Sequence, residues 1–183
     1  MVFNYRSVVR SVVLIMTFLA CVAGSSGATT AEENKPGPGD VAPLFSVPDL
    51  DGHNVSLAEV LGSGKVVFLN FWGLRCSSCI EEIGHLNGLI EKYTPKGVAF
   101  FGVNVDGAKP EMIRKLMPNM SHVPKFTVLP DPELKIPDMY HLAGAPLSVI
   151  IGKDGIVKYR HEDFNPGDEK AIEAAIQKAL AAK

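Results

Sequence analysis

The chain has 183 residues, 46% of them hydrophobic, with a formal net charge of −2. That length suits one domain of ordinary size, and that composition supplies a core. The charge excludes a general pull toward nucleic acid or an anionic membrane, and three cysteines, Cys21, Cys76 and Cys79, are too few for a disulfide-stapled mini-fold.

The first element in chain order is a leader. Arg6 and Arg10 precede "SVVLIMTFLACVAG", an uncharged apolar run from Ser11 to Gly24 that ends in small residues. A basic start, an apolar middle and a small-residue exit form the layout of a secretory signal. The run is shorter than the ~20 residues of a membrane span, so residues 1–24 are expected to be a cleaved signal. "FLAC" also resembles a bacterial lipobox with Phe18 in the usual leucine place, which makes Cys21 a candidate lipidation site. Either outcome delivers the chain to an extracytoplasmic, oxidising space. Residues 25–39, polar and rich in Gly and Pro, are expected to be a flexible linker. One domain is expected from 40 to 183.

"LFSVPDLDGHNVSL" predicts two short strands around a turn at Asp51–Gly52. Ser56 to Glu59, "SLAE", is a capping box that opens a short helix. "KVVFLNFW" is almost continuously apolar, as befits a strand buried on both faces. A helix follows from Cys76, with Ile80, Ile83, Leu86, Ile90 and Tyr93 along one face. "GVAFFGVNVD" predicts a second buried strand. Pro110 suits the first turn of the helix "KPEMIRKLM", and "KFTVLPD" predicts a shorter strand. "APLSVIIGKDGIVKYRH" predicts a hairpin with its turn at Lys153–Gly155. "NPGDEKAIEAAIQKALAA" predicts a last helix capped by Asn165 or Asp168. The order β–α–β–α–β–β–α implies parallel pairing with right-handed crossovers, closed by an antiparallel hairpin. The expected class is a three-layer mixed α/β domain.

Cys76 and Cys79, in "FWGLRCSSCI", carry the chemistry. A zinc site would need two more Cys or His ligands, and His53, His85, His122, His141 and His161 are scattered without ligand spacing. As a structural staple the pair would close so small a loop that it would stabilise weakly. Redox exchange fits best. Cys76, at a strand-to-helix junction, would meet the free amides and positive end of the helix dipole, which favours thiolate. Cys79 lies one turn further in. The roles that follow are attack by Cys76 and resolution by Cys79. Arg75 adds positive charge beside Cys76 if it turns inward. Trp72, Tyr93, Phe100, Phe101 and Met112, Met117, Met120 and Met139 read as packing, with Trp72 against the active site. No nucleotide motif or cofactor-binding loop appears, and no metal or cofactor is expected.

Three ordered segments carry a resemblance: "GDVAPLFSVPDLDGHNVSLAEVLGSGKVVFLNFW", "NFWGLRCSSC" and "GAPLSVIIGKDGIVKYRH". Across about residues 40 to 180 the chain resembles the TlpA/ResA-like family of extracytoplasmic thioredoxin-fold thiol–disulfide oxidoreductases. The resemblance implies a thioredoxin-like fold with an N-terminal β-hairpin extension. It implies a cis peptide bond before Pro146, with the backbone of Ala145 open beside Cys76, so that Trp72, Arg75, Ala145 and Pro146 form a client-binding surround. It places a buried glutamate at Glu82, where it exchanges the proton that Cys79 gives and takes. Asn70 stands where thioredoxin has a buried aspartate and cannot titrate. The chain departs from the pattern at Ser77 and Ser78, where a proline is common, and at Arg75, where tryptophan is usual. The implied partners are disulfide-bearing clients such as apocytochrome c, and a membrane or periplasmic electron donor of the thioredoxin, DsbD or CcdA kind. Two alternatives are a thioredoxin-fold peroxidase, which would need a threonine that "FWGLRC" lacks, and a copper chaperone of the SCO kind, which spaces its cysteines by three and would recruit His141 or His161.

Overall fold

The structure is a computed structural model and describes residues 35–182. The signal, Cys21 and most of the expected linker lie outside the described residues. Two short antiparallel strands, β1 (Ser46–Pro48) and β2 (Asn54–Ser56), lead into α1 (Leu57–Gly62). The Ser56 side chain accepts from the Glu59 amide, as the capping box requires. Then come β3 (Val66–Trp72), α2 (Ser77–Tyr93), β4 (Val98–Asn104), α3 (Pro110–Leu116) and β5 (Thr127–Pro130). A short helix α4 (Lys135–Met139), the strands β6 (Leu147–Ile151) and β7 (Val157–Glu162), and α5 (Glu169–Ala181) complete the chain.

The main sheet has the order β5-β4-β3-β6-β7. Its first three strands are parallel, joined through α2 and α3; β6 runs antiparallel to β3, and β7 antiparallel to β6. Every residue of β3 is buried, because helices cover both faces of the sheet. Val66, Phe68 and Trp72 pack with Ile83 and Leu86 of α2, Ile113 of α3 and Ile172 and Ile176 of α5. Val67, Leu69 and Phe71 pack on the other face with Leu57 and Leu61 of α1 and Ile136 near α4's start. The period-2 geometry of a strand produces this division. It is the thioredoxin-like architecture expected, including the N-terminal hairpin.

Two glycines fix local geometry. Gly102 lies opposite Asn70 on β4, and a Cβ there would sit 2.0 Å from Phe126. Its bare backbone lets Phe126 lie across β4 against Trp72, ring centroids 5.9 Å apart. Gly155, at φ 75°, turns the β6–β7 hairpin in a conformation that side chains disfavour.

Three expectations change. The folded body begins before residue 40: Gly39 donates to the Val157 carbonyl, Lys35 Nζ meets Glu162 Oε1 at 2.5 Å, and Arg160 Nη1 donates to the Pro36 carbonyl. β7 is an edge strand with unpaired backbone groups, and residues 35–40 cover part of it. Asp168 precedes α5 but makes no side-chain cap bond to it. Its carboxylate turns back to accept from the Asn165 amide at 2.8 Å and to meet His161 Nε2 at 3.1 Å. On α2, Ile80 is only half-buried, and Cys79, Glu82 and Leu89 join the inward face.

Candidate active site

β3 ends at Trp72, and the turn Gly73–Arg75 delivers the chain to α2. Asp106, beyond the end of β4, pins this turn: its Oδ2 accepts from the Leu74 amide at 2.7 Å and from Asn104 Nδ2 at 2.9 Å. Cys76 is the N-cap of α2. Its Sγ takes the place of a capping oxygen and accepts from the Cys79 amide at 3.2 Å. Sulfur at this position faces the unpaired amides and the positive end of the helix, which stabilise a thiolate. Cys76 and Cys79 are joined as a disulfide, Cα atoms 5.2 Å apart. Cys76 is half-buried and Cys79 fully buried, so an incoming group meets Cys76 first.

The Ala145–Pro146 peptide is cis, as the resemblance implied. The Ala145 carbonyl oxygen lies 3.6 Å from Cys76 Sγ. The disulfide sulfur carries no proton, and this contact becomes a hydrogen bond only for the thiol. Ser78 Oγ stands 3.5 Å from the same sulfur.

Glu82 lies on α2 three residues beyond Cys79 and has no exposed surface. Ser148 Oγ of β6 donates to its Oε1 at 2.7 Å, and Asn70 Nδ2 of β3 donates to its Oε2 at 2.9 Å. Asn70 Nδ2 also reaches Ser148 Oγ at 3.2 Å. Burial pushes the Glu82 carboxyl above the ordinary glutamate range, and the two hydrogen bonds offset part of that rise. His161, the cross-strand partner of Ser148, draws it down more weakly, and Asp168 pushes it up. The structure thus gathers Cys76, Cys79, Glu82, Ala145 and Pro146 at one end of the sheet, with Asn70 and Ser148 holding the carboxyl.

Two expected site residues stand elsewhere. Trp72 has no exposed surface and packs on Phe126, so it supports the site from within the core and has no face for a client. Arg75 is exposed and lines a groove on the flank of the turn. Ser148 was missed. Its one signal is period: in "PLSVIIG" it is the polar residue in an apolar strand and shares a face with Ile150. Among the described residues, neither His141 nor His161 shares a cluster of potential metal-ligating atoms with the cysteines.

A cysteine pair at a strand–helix junction beside a cis-proline, on this sheet, defines the class: a thioredoxin-fold thiol–disulfide oxidoreductase. A family model, the AhpC/TSA family, matches residues 38–160. The thiol–disulfide oxidoreductase ResA of Bacillus thuringiensis (strain Al Hakam) is 35% identical over 144 residues, 76% of this chain and 80% of that protein. ResA of Geobacillus kaustophilus (strain HTA426) is 30% identical over 153 residues, 84% and 85% of the two chains. Among solved structures, a candidate thiol:disulfide interchange protein DsbE from Chlorobium tepidum superposes with a TM-score of 0.72 at 34% identity, covering 80% of this chain and 99% of that one. The chain belongs to the AhpC/TSA family and, within it, to the ResA-like thiol–disulfide oxidoreductases.

Proposed function

We propose that the chain reduces disulfides of client proteins outside the cytoplasm, with Cys76 as nucleophile and Cys79 as resolving thiol. In the reduced protein the Cys76 thiolate attacks one sulfur of the client disulfide. That S–S bond breaks, a Cys76–client bond forms, and the first client sulfur leaves as thiolate and takes a proton. Cys79, deprotonated, then attacks Cys76 Sγ and expels the second client thiolate, which takes the other proton. Two electrons move to the client, and the protein is left in the disulfide form of this structure. The observation that carries the assignment is the asymmetry of the pair: Cys76 is half-buried at a helix N-cap, and Cys79 is sealed beneath it.

Glu82 is the group that takes the Cys79 proton. Burial raises its proton affinity above that of an ordinary carboxylate, which suits it to accept that proton. Asn70 supports this role in both states. Its amide nitrogen donates to the carboxylate. The other end of the same amide, Oδ1, is buried without a partner and, after a flip, would accept from the carboxylic acid.

The reading includes a signal over residues 1–24, or lipidation at Cys21, that places the domain in the periplasm or on the outer face of the membrane. A donor dithiol of the thioredoxin, DsbD or CcdA kind would restore the reduced pair. The family likeness supports apocytochrome c as one client. Equilibration of the protein with defined thiol buffers tests the direction of flow. A potential near or below ~−270 mV supports a reductant, and one near ~−120 mV overturns that reading in favour of disulfide formation.

A further inference from the structure

A groove of about 940 Å³ opens beside the cysteine turn. One wall is the turn itself, Leu74 and Arg75. The rest is the β4–α3 connection and α3, including Ala108, Met112 and Leu116. No part of it comes from the Ala145–Pro146 edge. Met112 is 54% exposed and Leu116 37%, although both are large and apolar. An unbranched, polarizable Met side chain adapts to varied partners.

The charge around this apolar lining is uneven. Arg75, Lys109 and Lys115 line it together with Glu111 and Asp106. Asp106 accepts from the Leu74 amide and Asn104 and keeps its charge, so three cations stand against two carboxylates. None of the ion pairs among the described residues involves Arg75, Lys109 or Lys115. A chain of net charge −2 therefore carries a local excess of positive charge beside its reactive cysteine.

We propose that this groove docks a client segment that bears a large apolar side chain with carboxylates near it, close in sequence to the cysteine that Cys76 attacks. The inference deepens the oxidoreductase reading and rests on it. Adjacency decides the occupant. Arg75 forms the wall and Cys76 is the next residue, ~3.8 Å along the chain, so an extended segment in the groove brings its own sulfur to Cys76. A second copy of the protein seated there would instead cover the sulfur that must react.

The test uses the reduced full chain and three substrates. Two are peptides with the same internal disulfide, one flanked by Phe and two Glu, the other by Ser and two Lys. The third is hydroxyethyl disulfide, too small to fill the groove. The Phe–Glu peptide is expected to exceed the Ser–Lys peptide in kcat/KM by about tenfold, the scale of one good anchoring contact. The preference should weaken with salt. M112S/L116S should reduce it to about twofold, and K109E/K115E should turn it toward the Lys peptide. Equal rates for the two peptides overturn the proposal, as does a preference that survives both variants. So does a loss shared equally by hydroxyethyl disulfide, which would mean general damage. Variants that alter sedimentation and leave peptide preference intact assign the groove to a second copy and also overturn it. If the unmodified chain fails to reduce even hydroxyethyl disulfide, the oxidoreductase reading itself falls.

Discussion

Successive residues of β3 face two different interiors. Val67, Leu69 and Phe71 meet α1 and α4 in a hydrophobic layer. Val66, Phe68 and Trp72 meet α2 and α5, but Asn70 interrupts them. β6 repeats the contrast, with Leu147, Val149 and Ile151 toward the plain layer and Ser148 beside Ile150 toward the other. Glu82 completes the interruption from α2. A buried polar group costs stability unless it is paired, and here three pair with one another below the cysteines. The comparison separates two tasks within one sheet. One face is built of apolar packing, and the other accepts a hydrogen-bonded polar cluster below the cysteines.

The deepest break falls on the reactive face. Cys76→Ser should bring disulfide reduction to background, and Cys79→Ser should leave a client held in a mixed disulfide, visible as a thiol-sensitive band on a gel. The plain face should break differently. Leu69→Ala removes a fully buried side chain and is expected to cost about 2–5 kcal/mol in urea unfolding, with turnover per folded molecule within about twofold of the parent. Turnover that falls in step with stability would erase the division of labour.

Ser148→Ala sharpens the contrast on a smaller scale. It leaves Glu82 Oε1 without its donor and should cost about 1–3 kcal/mol. Replacing all the polar partners together, Asn70→Leu, Ser148→Ala and Glu82→Leu, should be nearly neutral for stability by the same reasoning and should slow resolution. A triple variant as unstable as the single one would mean that the polar cluster holds the fold.

The smallest effect is in pH dependence. The Glu82 carboxyl, held above its ordinary value of 4.5 by burial, binds a proton in the folded state that the unfolded chain has already lost. Stability should therefore fall as pH rises from 4.5 through the raised value and level off above it. Carboxylates at the surface such as the exposed Glu162 and the half-buried Glu173, held low by Lys35 and Lys92, act in the opposite sense at lower pH. The stability of the parent relative to Glu82→Gln isolates the buried group: it should fall as pH rises from 4.5 and become constant above the raised value. A difference independent of pH throughout would remove Glu82 as a buried proton carrier.

Much of this was legible in the sequence because local rules carry it. The apolar run of β3, the capping box at Ser56 and the Cys76–Cys79 junction each follow from residues a few positions apart. What escaped depends on contacts across the chain. Ser148 and Glu82 are 66 positions apart and meet only when β6 pairs with β3. α4 was not expected: it contains Pro137, and its N-cap, Leu134, is in the left-handed region, which only the structure shows. The Asp131 carboxylate organises its start by accepting from the Ile136 amide at 2.7 Å. Asp168 looked like a helix cap, and its carboxylate turned to Asn165 and His161 because β7 brings His161 beside it. Arg75 could be read as a neighbour of Cys76, but the groove it lines is formed only when α3 folds against the turn.

Trp72 is the protein's single tryptophan, and it is sealed in the same apolar cluster as Cys79. A disulfide quenches a neighbouring indole more strongly than two thiols do. The chain therefore carries a built-in optical gauge: emission should brighten when the pair is reduced and dim when it is oxidised. Redox state becomes readable in real time, without a label.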